Sequence, residues 1–344
     1  MVETIRKKVG SGFVLVIASC LFFATSGTFA KALITAGWSP LAVVTVRVGG
    51  AALILLPWSL GTLRGRWAEI RGHLGLVGGY GLLGIAAAQL GYFGAVQRLD
   101  VAVALLIEYL GIVLVVLWIW LRTRVTPHAY TLLGVALSIA GLALVLQIFG
   151  AAAPDVVGVL WGLFAAIGMA GHYLLAARPT PVPAVAFAGL GLTAGFVLLV
   201  LAGVLGVVPF VVGGDSVVLG GSQLPAWVAL AELIVIAAAA AYLMGIAGAR
   251  RLGSTLASFV GLTEVLFAVL IAWVLLGETP GLIRAIGGLL ILGGVVAVRM
   301  GEMRAVDELV LPAAQLDALE VRERQPADAR HGLAERRRVR LIHN

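Results

Sequence analysis

Ten apolar runs, each long enough at about twenty residues to span a bilayer as a helix, follow one another between residues 12 and 300. They lie at 12–36, 40–60, 74–96, 101–121, 127–149, 156–177, 184–208, 226–248, 254–276 and 281–300. Backbone N–H and C=O groups cannot be left unpaired in hydrocarbon, so these runs must be helices. They lack the period-two alternation of a transmembrane barrel. The connections are short and carry Gly, Pro or charge, as in Trp38-Ser39-Pro40 and Glu278-Thr279-Pro280. The longest, Pro209 to Leu224, holds one charge, Asp215. Composition agrees. Of 344 residues 61% are hydrophobic and 12% charged, against roughly 25% charged in soluble domains. That excludes an ordinary soluble enzyme, a disordered chain and a disulfide scaffold. The single cysteine, Cys20, cannot form an internal disulfide.

The net charge of +7 would suit a nucleic-acid partner, but its distribution does not. With the N-terminus placed inside, the cytoplasmic connections carry Arg6, Lys7, Lys8, Arg64, Arg66, Arg71, Arg122, Arg124, Arg178, Arg250 and Arg251. The external connections carry Arg98. This is the bias that sets membrane orientation, so the charge is topological and no nucleic acid is expected. Both termini are expected in the cytoplasm of a bacterial inner (plasma) membrane. Arg6-Lys7-Lys8 before an apolar run, with Ala30-Lys31-Ala32 in the A-x-A form of a cleavage site, also fits a signal peptide. The length of the run, and its counterpart in the second half, favour a retained span. Residues 301–344 hold eight Arg and eight acidic residues and are expected to form a solvated, disordered tail. Its Arg336-Arg337-Arg338 run could touch anionic head groups.

The chain repeats itself. A shift of 153 residues places Arg98-Leu99 on Arg251-Leu252, Trp120 on Trp273, Thr126-Pro127 on Thr279-Pro280, Gly134 on Gly287 and Gly141 on Gly294. Two halves of five spans follow, 1–150 and 151–300. An odd span count forces the second copy to cross in the opposite sense. The expected fold is therefore an all-α integral membrane protein of ten transmembrane helices in two inverted five-helix repeats, an organisation that secondary transporters share.

Motifs in both halves resemble the drug/metabolite transporter superfamily, in its EamA-type group of ten-helix exporters. They are Ser39-Pro40 with Arg47 further in, Leu105-Leu106-Ile107-Glu108-Tyr109-Leu110-Gly111, Leu262-Thr263-Glu264-Val265, Ala272 to Glu278, and the glycine-rich close of each half at Gly134 to Gly141 and Gly287 to Gly294. At Gly111 and Val265 the family pattern often has Pro. The resemblance covers about residues 1–300. It implies a basket in which spans 1–4 and 6–9 surround a central cavity and spans 5 and 10 pack outside. It also implies gradient-driven export of amino acids, other small metabolites or toxic compounds.

Ionisable residues inside spans are expensive and usually face the bundle interior. Glu108 lies deep in span 4 and Glu264 near the middle of span 9. Each can carry a proton or meet a cationic group of a substrate, or sit in a fixed pair with Arg47. Arg47, in span 2, is expected to have a carboxylate partner, for structure or gating, or else to recognise a substrate carboxylate. His172 in span 6 is either a packing residue or a proton or substrate contact, and Gln89 in span 3 a ligand or interhelical contact. Trp118 and Trp161 are placed on the cavity wall. Lys31 and Arg284 are expected to snorkel, and Glu232 either to line an external vestibule or merely to be hydrated there. No Cys/His metal spacing, phosphate loop or hydrolase triad is present, so no enzymatic activity, metal or cofactor is expected. The expected partners are a small-molecule substrate, membrane lipids, protons as coupling ion, and a second copy of the chain. Export of polar metabolites is the leading reading. Efflux of lipophilic cations on the same fold and a non-transporting membrane protein are the alternatives.

Overall fold

The computed structural model describes residues 2–124, 126–146, 155–176, 178, 180–252, 260–279, 281–298 and 300–301. The charged segment 302–344 lies outside the described residues. The helices are α1 (Val2–Thr35), α2 (Pro40–Thr62), α3 (Leu74–Val96), α4 (Val101–Thr123), α5 (Ala129–Val145), α6 (Val156–Ala176) and α7 (Ala184–Val204). There follow α8, built from Ala226–Ala231, Glu232–Ala240 and Ala241–Leu252, then α9 (Thr263–Leu276) and α10 (Leu282–Val298). A short helical turn, Trp67–Arg71, joins α2 to α3. Among the described residues seven helices are long and apolar enough to cross a membrane, while α5, α9 and α10 are shorter apolar helices. Parts of four expected spans lie outside the described residues: 147–149 of span 5, 177 of span 6, 254–259 of span 9 and 299 of span 10.

The sequence places the helix ends. Pro40 opens α2, where its missing N–H is not needed, and the Ser39 hydroxyl accepts the Ala42 N–H at 3.2 Å. Gly277, in the left-handed region at φ 72°, closes α9. Two helices depart from α geometry. Gly81–Ala87 in α3 and Glu232–Ala240 in α8 are π-helical. Under the 153-residue shift Ala87 falls on Ala240, the last π residue of each. α4 breaks at Leu110, whose N–H bonds Ile107 O at 3.1 Å, and α9 has a similar turn at Leu262.

Close helix contact depends on missing side chains. A Cβ on Gly141 would lie 2.6 Å from Gly287 O, and one on Gly287 would lie 2.7 Å from Gly141 O. Gly134 and Gly294 meet in the same way, a Cβ on Gly294 falling 2.6 Å from Gly134 O. Position numbers rise along α5 as their partners' numbers fall along α10, so the two helices run antiparallel.

The long connection expected between α7 and α8 is not featureless. Strands β1 (Ser216–Leu219) and β2 (Ser222–Pro225) form an antiparallel hairpin through Gly220 and Gly221, both at positive φ. Val217 and Leu219 are buried, and Gly220 N–H bonds Leu275 O at 2.9 Å. The preceding strand of chain is tied to the α1–α2 turn by Ser39 and Val211, Gly214 and Ala36, and Trp38 Nε1 donating to Gly214 O at 3.1 Å. This end, where α1 finishes and α4 starts, is termed the upper end. At the lower end Arg66 donates to Pro181 O at 3.0 Å and Arg251 to the Ser11 hydroxyl at 3.0 Å.

Candidate functional site

A cavity of about 550 Å³ occupies the middle of the bundle and reaches the lower α6–α7 connection at Thr180 and Val182. Helices α1 to α4 and α6 to α9 line it, and neither α5 nor α10 contributes a residue. Glu108, Glu264, Arg47, Gln89 and His172 all border it.

Arg47 is 3% exposed. It donates to Gln89 Oε1 and, through its second terminal nitrogen, to Ala237 O at 2.9 Å. Its guanidinium carbon stands 5.5 Å from the centre of the Phe93 ring. Ala237 belongs to the π-helical stretch of α8, where irregular backbone leaves a carbonyl for a side chain. The carboxylate partner expected for Arg47 is not found among the described residues. An amide, a backbone carbonyl and an aromatic face take its place, and its Nε has no partner among the described residues.

Glu108, on the last turn of α4 before the Leu110 break, is 7% exposed and makes no ion pair or hydrogen bond to any described residue. The fixed Arg47–Glu108 pair that the sequence allowed is therefore absent among those residues. Glu264, in the first turn of α9, accepts from Tyr109 Oη at 3.4 Å, a long contact. His172 packs against Tyr80, ring centres 5.1 Å apart, and Tyr80 in turn against Phe187 at 4.6 Å. Gly84 permits that approach, since a Cβ there would lie 3.1 Å from His172 Cα.

The aromatic expectation is corrected. Trp118 is 53% exposed on the outside of α4, and Trp161 packs against Gly94 and Phe164 away from the cavity. None of the chain's tryptophans lines the cavity, whereas five of its six tyrosines do: Tyr80, Tyr92, Tyr109, Tyr173 and Tyr242. A tyrosine offers a ring face and a hydroxyl to a polar chamber, while tryptophan favours the bilayer interface.

The upper end is closed by charge. Lys31 pairs with Glu278 and donates to Leu99 O at 2.8 Å, and Glu278 also accepts the Val101 N–H at 2.8 Å. Arg284 pairs with Asp100, and Arg98 with Asp155 at 3.3 Å. The expected snorkelling of Lys31 and Arg284 is thus replaced by ion pairs that join α1, α4, α9 and α10. The Gly158 N–H and Arg98 hold the exposed Asp155 carboxyl below its usual range. Glu232 is bound by the Thr25 hydroxyl of α1 and does not line the cavity.

Comparison with known proteins follows the same lines. A crystal structure of a protein aligns with a TM-score of 0.57 at 20% identity, covering 84% of this chain and 97% of that one, which shows a shared fold. No protein of curated function matches the sequence. The family model described as EamA-like transporter family matches twice, over residues 10–147 and 156–300, one match per half. The cavity inside a helical bundle and the doubled match lead to one conclusion: the chain belongs to the EamA-like transporter family, as a multi-pass membrane transporter of the drug/metabolite type.

Proposed function

We propose that this protein is a secondary active transporter that exports small polar metabolites, amino acids foremost, by alternating access across the inner membrane. The observation that carries the reading is the content of the cavity. One guanidinium, two carboxylates and five tyrosines face a single chamber. A zwitterion matches that set. Its carboxylate meets Arg47, its ammonium group meets Glu108 or Glu264, and tyrosine hydroxyls and rings take its polar and apolar remainder. Gln89 orients Arg47, and His172 shapes the wall through Tyr80.

The two matched halves support the motion. The glycines that match under the 153-residue shift contact each other reciprocally across α5 and α10. Gly134 meets Gly294 while Gly141 meets Gly287, the pattern of a twofold contact. A cavity that reaches the lower end, beneath ion pairs at the upper end, is the inward-facing half of such a cycle, with the lower end and both termini cytoplasmic by the Lys/Arg bias.

The excess of carboxylates over guanidinium and the aromatic walls also favour a second reading, efflux of lipophilic cations. Counterflow in proteoliposomes separates the two. Exchange of labelled amino acids supports the first, and exchange of a lipophilic cation alone supports the second.

A further inference from the structure

A second hollow, of about 260 Å³, lies between α4, α9, α10 and the end of α5, on the outside of the bundle. It is smaller than the roughly 300–1,000 Å³ of clefts that enclose drug-sized molecules. Its floor is apolar and deep: Val103 and Leu106 of α4 and Val265 of α9 are each at most 7% exposed. Its lips are apolar and exposed, Leu266 at 55% and Leu289 at 66%, so it opens onto the lipid-facing circumference. Gly288 keeps it open, because a Cβ there would come within 3.2 Å of Leu106 Cδ1.

The upper end of the hollow differs chemically. Asp100, the N-cap residue at the start of α4, and Arg284, on the first turn of α10, border it together with Glu278 and Thr279. Arg284 bonds Asp100 through one terminal nitrogen, and its Nε is buried without a partner among the described residues. A narrow apolar slot open to hydrocarbon, capped at the head-group level by the partly exposed Arg284 guanidinium, complements one kind of molecule.

We propose that this groove binds one membrane phospholipid, its acyl chain along Val103, Leu106, Val265 and Leu292 and its phosphate on Arg284. Asp100 and Glu278 beside that phosphate favour a head group that also carries an ammonium, as in phosphatidylethanolamine. The site lies outside the transport cavity, but the two share a wall. On α4, Leu106 faces the groove while Leu105 and Glu108 face the cavity.

The test is photolabelling of the full chain in proteoliposomes. The probe is phosphatidylethanolamine with a diazirine midway along one acyl chain, diluted in unlabelled lipid, with labelled residues mapped by mass spectrometry. Annular lipid reaches exposed positions such as Leu270 and Leu289, but only a chain inside the groove reaches Val103 and Leu106. The expected result is labelling of that floor, reduced at least tenfold in Val269→Trp, which fills the groove, with Leu270 labelling retained as the control for folded, inserted protein. Gly288→Val fills it from the opposite wall and serves if Val269→Trp does not insert. Arg284→Gln is expected to reduce floor labelling at least threefold. Labelling confined to exposed residues overturns the proposal, as does equal floor labelling in the filled variants. Loss of floor labelling to stoichiometric tetraphenylphosphonium overturns it in favour of an apolar ligand site. Floor labelling unchanged in Arg284→Gln overturns the phosphate contact.

Discussion

Arg47 lies nearly out of contact with solvent, and no carboxylate among the described residues neutralises it. Burying such a charge costs several kcal/mol, which the Gln89 oxygen, the Ala237 carbonyl and the Phe93 ring only partly offset. A group placed there for stability alone would be better replaced by an apolar one. Arg47→Met is therefore expected to keep its melting temperature within about 3 °C of the parent and to lose transport, as read by thermal denaturation and proteoliposome exchange. A collapse in melting temperature with transport retained in the surviving protein would make Arg47 structural. Glu108→Gln is expected to abolish exchange while the protein still elutes as a folded species, and unaltered exchange would remove Glu108 from the mechanism. These residues were legible in the sequence because a charge or amide eight or more residues inside an apolar run has few places to go. The tyrosines were not, because a tyrosine in a span carries no such penalty. Trp161 shows the limit of helical phase. It is eleven residues from His172, nearly the same face, yet about 16 Å further along the helix. At that level α6 is closed against Gly94.

Between helices, backbone approach decides. At the α5–α10 crossing each glycine sits where a Cβ would strike the opposing carbonyl. Gly141→Ala is expected to lower stability by about 1–3 kcal/mol, and Gly141→Val to do so further, as measured by thermal denaturation in detergent. Equal stability of the valine variant would contradict the contact. The ion pairs at the upper end make a separate prediction. In a Cys20→Ala background, Lys31→Ala is expected to raise several-fold the rate at which an impermeant thiol reagent, added outside, reaches a Ser26→Cys on the cavity wall. An unchanged rate would show that Lys31 and Glu278 do not seal that end. The start of α2 was readable from Ser39-Pro40, and the Gly220-Gly221 pair after the alternating Val217 and Leu219 is a hairpin signal. The apolar bias of the whole chain hid that second signal. The π-helical stretches of α3 and α8 have no sequence signature of their own. They arise where α3 packs on α6 and α7, and where α8 receives Arg47.

For the molecule as a whole, the decisive property is that similar halves enclose a polar chamber within an apolar shell. Their similarity was legible over about the last 45 residues of each half as one 153-residue shift, because glycines, a tryptophan and a Thr-Pro pair mark the same geometric needs twice; nearer the start the shift falls to about 144. The chamber's boundary was not, since it depends on which helix faces meet. On the proposed alternating-access reading, the chamber opens to each side in turn and the cargo satisfies Arg47 and the two glutamates together. Counterflow by the full chain in proteoliposomes, with labelled amino acids and one lipophilic cation as probes, tests this most directly. Exchange of at least one amino acid, lost in Glu108→Gln, is the expected result. No amino-acid exchange by folded, inserted protein would contradict it.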